Sequence, residues 1–281
     1  MTLKYEADLH NHTTYSDGSM SPAELVKHAA GLGLKAVAIT DHDTIDGVSE
    51  GLIAARAECI ILVPGMEITI RFKESYFTGS LHLLVYFSEK LLENPDFIKH
   101  TGEILSKGRG PELVSARIKA INEVFGPKGT DPRLPRDLTE EDVYAHGDRI
   151  SRRHFALALK TMGFEDRKEV TEIIGNDSPA YIPSGVPMDA LKDYLACWSL
   201  ARVMAHPAAG SYPGESLYRE VLPPFDVVER LIPEFMKIGL DGFEVEYPGH
   251  TNEWKQKLRN KLKELGLKLV TGGSDCHDAS E

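Results

Sequence analysis

His10 and His12, separated by one residue, are the first side chains whose spacing could do chemistry. In an extended segment, residues two apart point to the same side, so the two imidazoles could bind one metal ion together. The pair follows a short apolar segment at residues 5–9, which predicts a strand. A single His-x-His arises often by chance, and alone it indicates a polar loop as readily as a metal site.

Metal-binding side chains recur at the ends of other apolar segments. Any one of them is more often a polar loop residue or a hydrogen-bonded core histidine. That explanation does not account for the occurrence of so many such side chains at the ends of apolar segments. The set consists of His42, Glu67, His82, His206, Asp275 and His277. In a parallel barrel the strand ends lie on one face, where active sites are built. We therefore expect these side chains to converge.

The ligand types indicate which chemistry such a cluster would perform. Histidine with carboxylates and no cysteine suits manganese, iron or zinc in a hydrolytic site better than a structural zinc site. Neutral imidazoles with few carboxylates leave a group of divalent cations net positive. Such a group can bind phosphate oxygens and lower the pKa of a bridging water, which becomes the nucleophile.

The composition makes a local positive site necessary for an anionic substrate. The 281 residues carry a formal net charge of -11, so the surface as a whole should repel phosphates. The three cysteines, Cys59, Cys197 and Cys276, form no CxxC pair. With no leader-like start and no long apolar run, we expect a cytoplasmic protein that neither enters a membrane nor requires a stable protein partner.

The elements that must position these side chains alternate between strand and helix in both terminal parts of the chain. Ser21, Pro22 and Glu24 predict a helix start with a capping box. Further helices are predicted at 46–57, 187–198, 225–238 and 252–265. Strands are predicted at 35–40, 60–65, 68–72, 81–87, 201–205, 242–245 and 268–271. Repeated βα units predict a mainly parallel sheet, and about seven strands fit a barrel as readily as an open sheet.

Residues 89–187 differ from the rest because they have little strand character. Helices are predicted there at 96–107, 111–125, 139–146, 150–162 and 166–174, around a breaker-rich loop at 126–135. This segment is predicted to be a helical insertion.

The same residues resemble the motifs of the polymerase and histidinol phosphatase (PHP) superfamily. The matching segments are Asp8-Leu9-His10-Asn11-His12-Thr13, Ser16-Asp17-Gly18, Thr40-Asp41-His42-Asp43, Gly65-Met66-Glu67, His82, Ala205-His206-Pro207 and Gly273-Ser274-Asp275-Cys276-His277. They occur in the family's order across nearly the whole chain. The resemblance implies an α/β fold, a distorted (β/α)7 TIM-like barrel at 1–88 and 188–281, with a helical insertion at 89–187.

The resemblance also implies a trinuclear metal site, with manganese preferred and iron or zinc as alternatives. One cation would take His10, His12, Glu67 and Asp275. A second would take Glu67, His82 and His206, and a third would take Asp17, His42 and His277. Asp17, His42, Glu67 and His277 would act in catalysis through the metal cluster. Asp8, Asp41 and Asp43 are expected either behind the ligands or as simple caps and turns.

Within the superfamily, the chain is similar to a branch that hydrolyses nucleoside 3′,5′-bisphosphates or removes nucleotides from the 5′ ends of short RNAs. That branch has an Arg-Pro-His-like motif in its insertion, and Arg152 and His154 match it as phosphate ligands. Arg153 stands where the branch usually has proline. Residues 208–211 lack the arginine that often follows the His-Pro pair, which leaves the exact substrate open.

The resemblance leads to hydrolysis of a nucleotide phosphate ester by a metal-bridging hydroxide, with a small phosphorylated nucleotide or short RNA as substrate. His250, in a Pro-Gly loop after the strand at 242–245, is a further candidate for substrate contact. Two alternatives remain: a histidinol-phosphate-type phosphatase, which would leave Arg152 and His154 without a role, and a non-catalytic metal-binding regulatory module, whose ligand positions tend to be incomplete.

Overall fold

The computed structural model describes residues 6–146, 152–214 and 222–279. The strands are β1 (Ala7–Asp8), β2 (Ala36–Ile39), β3 (Ile61–Glu74), β4 (Phe77–Phe87), β5 (Val186–Pro187), β6 (Leu200–Met204), β7 (Gly242–Glu246) and β8 (Leu269–Gly272). The α-helices are α1 (Pro22–Gly31), α2 (Val48–Glu58), α3 (Pro95–Arg109), α4 (Pro111–Phe125), α5 (Glu140–Tyr144), α6 (Arg152–Thr161), α7 (Arg167–Ile174), α8 (Met188–Cys197), α9 (Phe225–Lys237) and α10 (Asn252–Leu265). Two 3₁₀ helices cover Glu89–Glu93 and Ala209–Ser211.

The capping box expected at the start of α1 is present. The Ser21 hydroxyl accepts a hydrogen bond from the Glu24 amide at 3.3 Å, and the Glu24 carboxylate accepts one from the Ser21 amide at 2.8 Å. Pro22 occupies the first turn, where its missing amide hydrogen costs nothing. The helix buries Leu25, Val26 and Ala29, as its amphipathic sequence requires.

The strands form one mixed sheet in the order β1-β2-β3-β4-β6-β7-β8, and β5 pairs with β3. The pairs β1/β2, β2/β3, β6/β7 and β7/β8 are parallel, whereas β4 runs antiparallel to β6. The residue after β1 is bonded to the end of β8, because the Leu9 amide donates to the Gly272 carbonyl at 3.0 Å. The α/β class is confirmed, and this arrangement is consistent with a distorted TIM-like barrel.

Two strands are longer than the sequence predicts. β3 continues through Glu67 to Glu74, where two separate segments at 60–65 and 68–72 were expected. β4 begins at Phe77, so His82 lies within it rather than opening it. The expectation that every metal-binding side chain ends a strand is therefore wrong for Glu67 and His82. Both strands continue because they extend together into a long hairpin with a turn at 75–76.

The chain folds into two compact units. The first contains the described parts of Met1–Ile70, Leu81–Ile104 and Met188–Glu281, and the second contains those of Arg71–Ser80 and Leu105–Pro187. The sequence placed the insertion at 89–187, but the second unit also includes the tip of the β3–β4 hairpin and begins within α3. The assignment of a barrel and an insertion as separate functional parts stays a prediction.

Each unit has its own apolar core. In the first, Ala38, Leu84 and Val203 come from neighbouring strands and are fully buried. In the second, Phe125, Phe155 and Leu159 belong to a cluster formed by the helices. Among the described residues, no helix combines the length and the apolar run that a bilayer crossing requires.

Candidate metal centre

Two short motifs at opposite ends of the chain lie side by side. Asn11 and Cys276 form a parallel bridge, with the His12 amide donating to the Cys276 carbonyl and the Asp275 amide to the His10 carbonyl, both at 2.9 Å. Asn11 faces away from the site, because its side chain donates to the Ala38 carbonyl at 3.2 Å. The alternation of an extended chain therefore places His10 and His12 on one side, as the sequence predicts.

Two further ligand pairs are formed between neighbouring strands. His42 and Glu67 form a parallel bridge, in which the Asp43 amide donates to the Glu67 carbonyl at 2.9 Å. The Ala205 amide donates to the His82 carbonyl at 3.1 Å, which brings His206 beside His82. Backbone register thus assembles side chains that are far apart in the sequence.

Glu67 lies at the centre of the assembly and is fully buried. Five imidazole nitrogens lie within 3.4 Å of its two carboxylate oxygens. They belong to His42 (2.9 Å), His82 (3.0 Å), His10 (3.3 Å), His206 (3.3 Å) and His12 (3.4 Å). Five imidazoles thus converge on one buried carboxylate.

Asp17 organises the more exposed side of the cluster. Its carboxylate is 56% exposed and lies 3.4 Å from His277, 3.7 Å from His12 and 3.8 Å from His42. The His277 ring is oriented by a 2.8 Å hydrogen bond from its Nδ1 to the Asp275 carbonyl, so its Nε2 faces Asp17. The hydrogen bond to Asp17 raises the pKa of His277 to about 9, although burial opposes this shift.

The residues present fit divalent cations. Within the described part of the chain, neither carboxylate oxygen of Glu67 has a hydrogen-bond partner, although both are buried. A buried carboxylate that accepts no hydrogen bond is costly even beside imidazoles, and coordination would satisfy its oxygens. Burial alone would raise the pKa of Glu67, but His82, His10 and His42 hold it well below its usual range. The carboxylate is therefore ionised and available to cations.

Three groups have donor atoms close enough to share an ion: His10, His12 and Glu67; His42, Glu67 and His82; and His12, Asp17, His42 and His277. Asp275 joins the first group, at 3.3 Å from His10 Nε2 and 3.1 Å from His12 Nε2. The contacts bring all nine predicted ligands together. The groups differ from the predicted division in three respects: His42 joins Glu67 and His82, His12 joins Asp17, His42 and His277, and His206 contacts Glu67 without belonging to a group.

The carboxylates of Asp8, Asp41 and Asp43 hold the loops that carry the ligands. Asp41 accepts hydrogen bonds from the Thr13 amide and hydroxyl, both at 2.7 Å, and from the Ser16 hydroxyl at 2.6 Å. Asp8 accepts from the Ser274 hydroxyl at 2.6 Å and amide at 3.0 Å, and Asp43 from the Thr69 amide at 2.8 Å. Each of these contacts joins segments at least 25 residues apart in the sequence, so the three carboxylates act by holding segments together rather than as local caps or turns. Those of Asp41 and Asp8 fix the segments around Asp17 and Asp275.

Glu244 is the site residue that sequence reasoning missed. It lies on β7, is fully buried, and contacts His10 Nδ1 at 3.0 Å. The available signal was a charged residue inside the apolar strand Gly242-Phe243-Glu244-Val245, where alternation places residue 244 on the side opposite its two apolar neighbours.

Gly273 allows the last strand to pass close to His10. A Cβ at position 273 would lie 2.3 Å from the His10 Cβ and 2.6 Å from its amide nitrogen. No side chain fits there unless the His10 backbone shifts. Position 273 of the Gly273-Ser274-Asp275 motif is therefore glycine for a steric reason.

His250 lies beside the cluster, but its ring serves the backbone. Nε2 accepts a hydrogen bond from the Ala208 amide at 3.1 Å, and Nδ1 donates one to the Val245 carbonyl at 3.1 Å. The ring is buried, with only 4% of the residue exposed, and burial lowers its pKa to about 4. These contacts leave no ring nitrogen for a substrate and give His250 a structural role at the turn after His206.

We expect the neutral His250 ring to make the protein acid-sensitive. Because its folded pKa of about 4 lies below the unfolded value near 6.5, its stabilising contribution is complete above pH 6.5 and falls as pH drops toward 4. The loss over that range is about 3 kcal/mol. Urea unfolding of chelator-treated protein at pH 4.5 and 7 should show a smaller pH dependence for His250→Gln than for the wild type. Equal pH dependence would contradict this role.

The sequence motif at 152–154 lies in the second unit, at the start of α6. The Arg152 side chain lies outside the described residues, and His154 is half-buried. Two aromatic residues that follow predicted site segments are buried. Phe155 belongs to the core of the second unit, and the Tyr247 hydroxyl donates to Asp275 at 3.0 Å.

Comparison with known proteins found similarity to a domain family, to named relatives and to a solved structure. Residues 8–94 match the PHP domain family. A 5′-3′ exoribonuclease of Haemophilus influenzae is 28% identical over 282 residues, which cover 99% of this chain and 91% of that protein. A 3′,5′-nucleoside bisphosphate phosphatase of Chromobacterium violaceum is 26% identical, covering 98% and 88% of the two chains.

A solved structure is also similar over nearly the whole chain. It is described as a metal-dependent phosphoesterase from Bifidobacterium adolescentis, with a TM-score of 0.61 and 29% identity. The match covers 99% of this chain and 90% of that one. Fold, domain family and named relatives therefore point to the same class of hydrolase.

Proposed function

We propose that the chain is a metal-dependent phosphoesterase of the PHP family and that it hydrolyses a phosphate ester of a nucleotide. The substrate would be a nucleoside 3′,5′-bisphosphate or the 5′ end of a short RNA. The convergence of five imidazoles on buried Glu67 is the observation that carries the phosphoesterase chemistry. The nucleotide substrate is supported by the names of the two relatives that span nearly the whole chain.

Three divalent cations are proposed, with manganese preferred and iron or zinc as alternatives. When bound, such ions neutralise charge on phosphate oxygens and lower the pKa of a bound water. Glu67 would hold two of them together, and Asp17, with His42 and His277, would hold the ion at the more exposed side. Asp41 and Asp8 would keep the ligand loops in place throughout the reaction.

Arg152 and His154 are proposed to bind a phosphate of the substrate. The support is the sequence motif and its place at the start of α6, where helix amides favour a phosphate. The planar guanidinium pairs two phosphate oxygens at once, which suits a terminal phosphate.

The test is phosphate release by manganese-loaded protein from three substrates in parallel: adenosine 3′,5′-bisphosphate, a 5′-phosphorylated RNA dinucleotide and histidinol phosphate. We expect fast release from one of the first two and its loss in His10→Ala. Preference for histidinol phosphate would overturn the nucleotide proposal. No release from any of the three would contradict the proposed activity as a whole.

Arg152→Ala should lower kcat/KM for the preferred substrate by about 10- to 100-fold, since a hydrogen bond to a charged group contributes about 1.5–3 kcal/mol. The bound metal should stay unchanged. Arg153→Ala is the matched control, because it removes an identical side chain from the neighbouring position. Equal losses in both variants would indicate a general charge effect and contradict the assignment of Arg152.

A further inference from the structure

Glu244 is a buried carboxylate whose two oxygens serve two different predicted ligands. Oε1 lies 3.0 Å from His10 Nδ1, and Oε2 accepts a hydrogen bond from the His206 amide at 2.8 Å. The residue is fully buried on β7. A buried carboxylate is expensive unless its oxygens are satisfied, and here the ligand-bearing segments satisfy both.

The contact with His10 determines which ring nitrogen faces the cluster. A contact at 3.0 Å between a carboxylate oxygen and an imidazole nitrogen favours the tautomer in which His10 Nδ1 donates and Nε2 carries no proton. Nε2, at the other side of the ring, lies 3.3 Å from both Glu67 and Asp275. In this orientation the lone pair of Nε2 is directed into the cluster.

The contact with His206 restrains an unusual stretch of backbone. His206 has a φ of 30°, in the left-handed region that residues other than glycine rarely adopt. It is followed by Pro207, which has no amide hydrogen to donate. The hydrogen bond to Glu244 is therefore an anchor for the main chain at the point where the His206 ring turns toward Glu67.

We infer that Glu244 is a positioning residue, which fixes the His10 ring and the His206 main chain so that both imidazoles present Nε2 to the metal cluster. Its side chain thereby contacts His10 of the first predicted ligand set and His206 of the second. This inference rests on the proposed metal-dependent function, but it concerns a residue that is not itself a proposed ligand. The carboxylates of Asp8, Asp41 and Asp43 bond to loop groups in the contacts described above, whereas Glu244 bonds to an imidazole.

Glu244→Gln can satisfy only one of the two contacts at a time, and it leaves the size of the side chain unchanged. The amide has one accepting oxygen and one donating nitrogen. If the oxygen faces the His206 amide, the nitrogen faces His10 Nδ1, and the His10 ring must move its proton to Nε2, which blocks coordination. If the amide is reversed, the His206 amide loses its acceptor. Either outcome weakens one ligand.

The experiment measures zinc binding to chelator-stripped protein by competition with a chromophoric chelator, with zinc as the only added ligand. Glu244→Gln should bind zinc about 10- to 100-fold more weakly than the wild type. Thr271→Val, an isosteric change in the cross-strand neighbour of Glu244, is the control and should bind zinc as the wild type does. Wild-type affinity in Glu244→Gln would overturn the inference.

A second measurement does not depend on a variant. In zinc-loaded wild-type protein labelled with ¹⁵N-histidine, His10 should carry a proton on Nδ1 and coordinate through Nε2. A proton on Nε2 instead would overturn the inference, whether or not Glu244→Gln folds. Failure of the wild type to bind zinc or manganese would instead contradict the proposed metal-dependent function.

Discussion

Glu67→Gln should abolish phosphate release, with kcat/KM lowered by about 1000-fold or more. Glu67 lies within 3.4 Å of nitrogens from five histidines, so its carboxylate holds more of the cluster together than any other side chain described here. Glutamine keeps the shape, but it removes the negative charge and turns a donating NH2 group toward the cluster. We expect bound manganese, measured by elemental analysis after dialysis, to fall together with activity.

The matched control for this prediction is Glu89→Gln. Glu89 lies in the same compact unit, is 54% exposed and pairs with Arg56 at the surface, so its loss should change activity less than twofold. Circular dichroism would establish that both variants fold. A folded Glu67→Gln protein with wild-type metal content and rate would contradict the bridging role.

Asp17→Asn should have the second largest effect, lowering kcat by about 100-fold. The carboxylate is the one negative charge among the donors of its group, which otherwise consists of three imidazoles. Its loss should remove one cation and leave those held by Glu67 in place. The Asp17→Asn variant therefore tests how many ions are bound and whether the ion near Asp17 is needed for the reaction.

The measurement for Asp17→Asn is the manganese content per chain, compared with the wild type and with Asp46→Asn. Asp46 lies on the next loop along the chain and is exposed, so its replacement should leave metal content and rate unchanged. Loss of one equivalent in Asp17→Asn alone is expected. Loss of all bound metal would show that the three groups do not bind independently.

The candidate ligands could be proposed from the sequence because their signal is local. His10 and His12 flank one residue in an extended segment, so their shared direction follows from the chain itself. Asp275 and His277 have the same spacing, but Asp275 has a φ of 58°, in the left-handed region, so alternation along an extended chain does not determine their directions. The backbone bridge between Asn11 and Cys276 could not be predicted, since it depends on the register of segments more than 260 residues apart. The sequence thus indicated the candidate donors, and the tertiary structure determines which of them meet.

Three features were beyond sequence reasoning for physical reasons. Glu67 and His82 lie within long strands because β3 and β4 continue together into a long hairpin, and nothing in the local pattern required an end at either residue. His250 has a metal-binding side chain, but its ring is used by the Ala208 amide and the Val245 carbonyl. Glu244 resembles an ordinary strand glutamate until its two partners are known.

The central claim, that this cluster holds the cations that drive phosphate ester hydrolysis, is tested most directly by titrating chelator-stripped protein with Mn²⁺. Bound manganese and phosphate release from adenosine 3′,5′-bisphosphate would be measured in the same samples. We expect no release without metal and a rate that rises with occupancy, while Glu67→Gln stays inactive at every concentration. Stripped protein that keeps its full rate, or a rate independent of occupancy, would contradict the account.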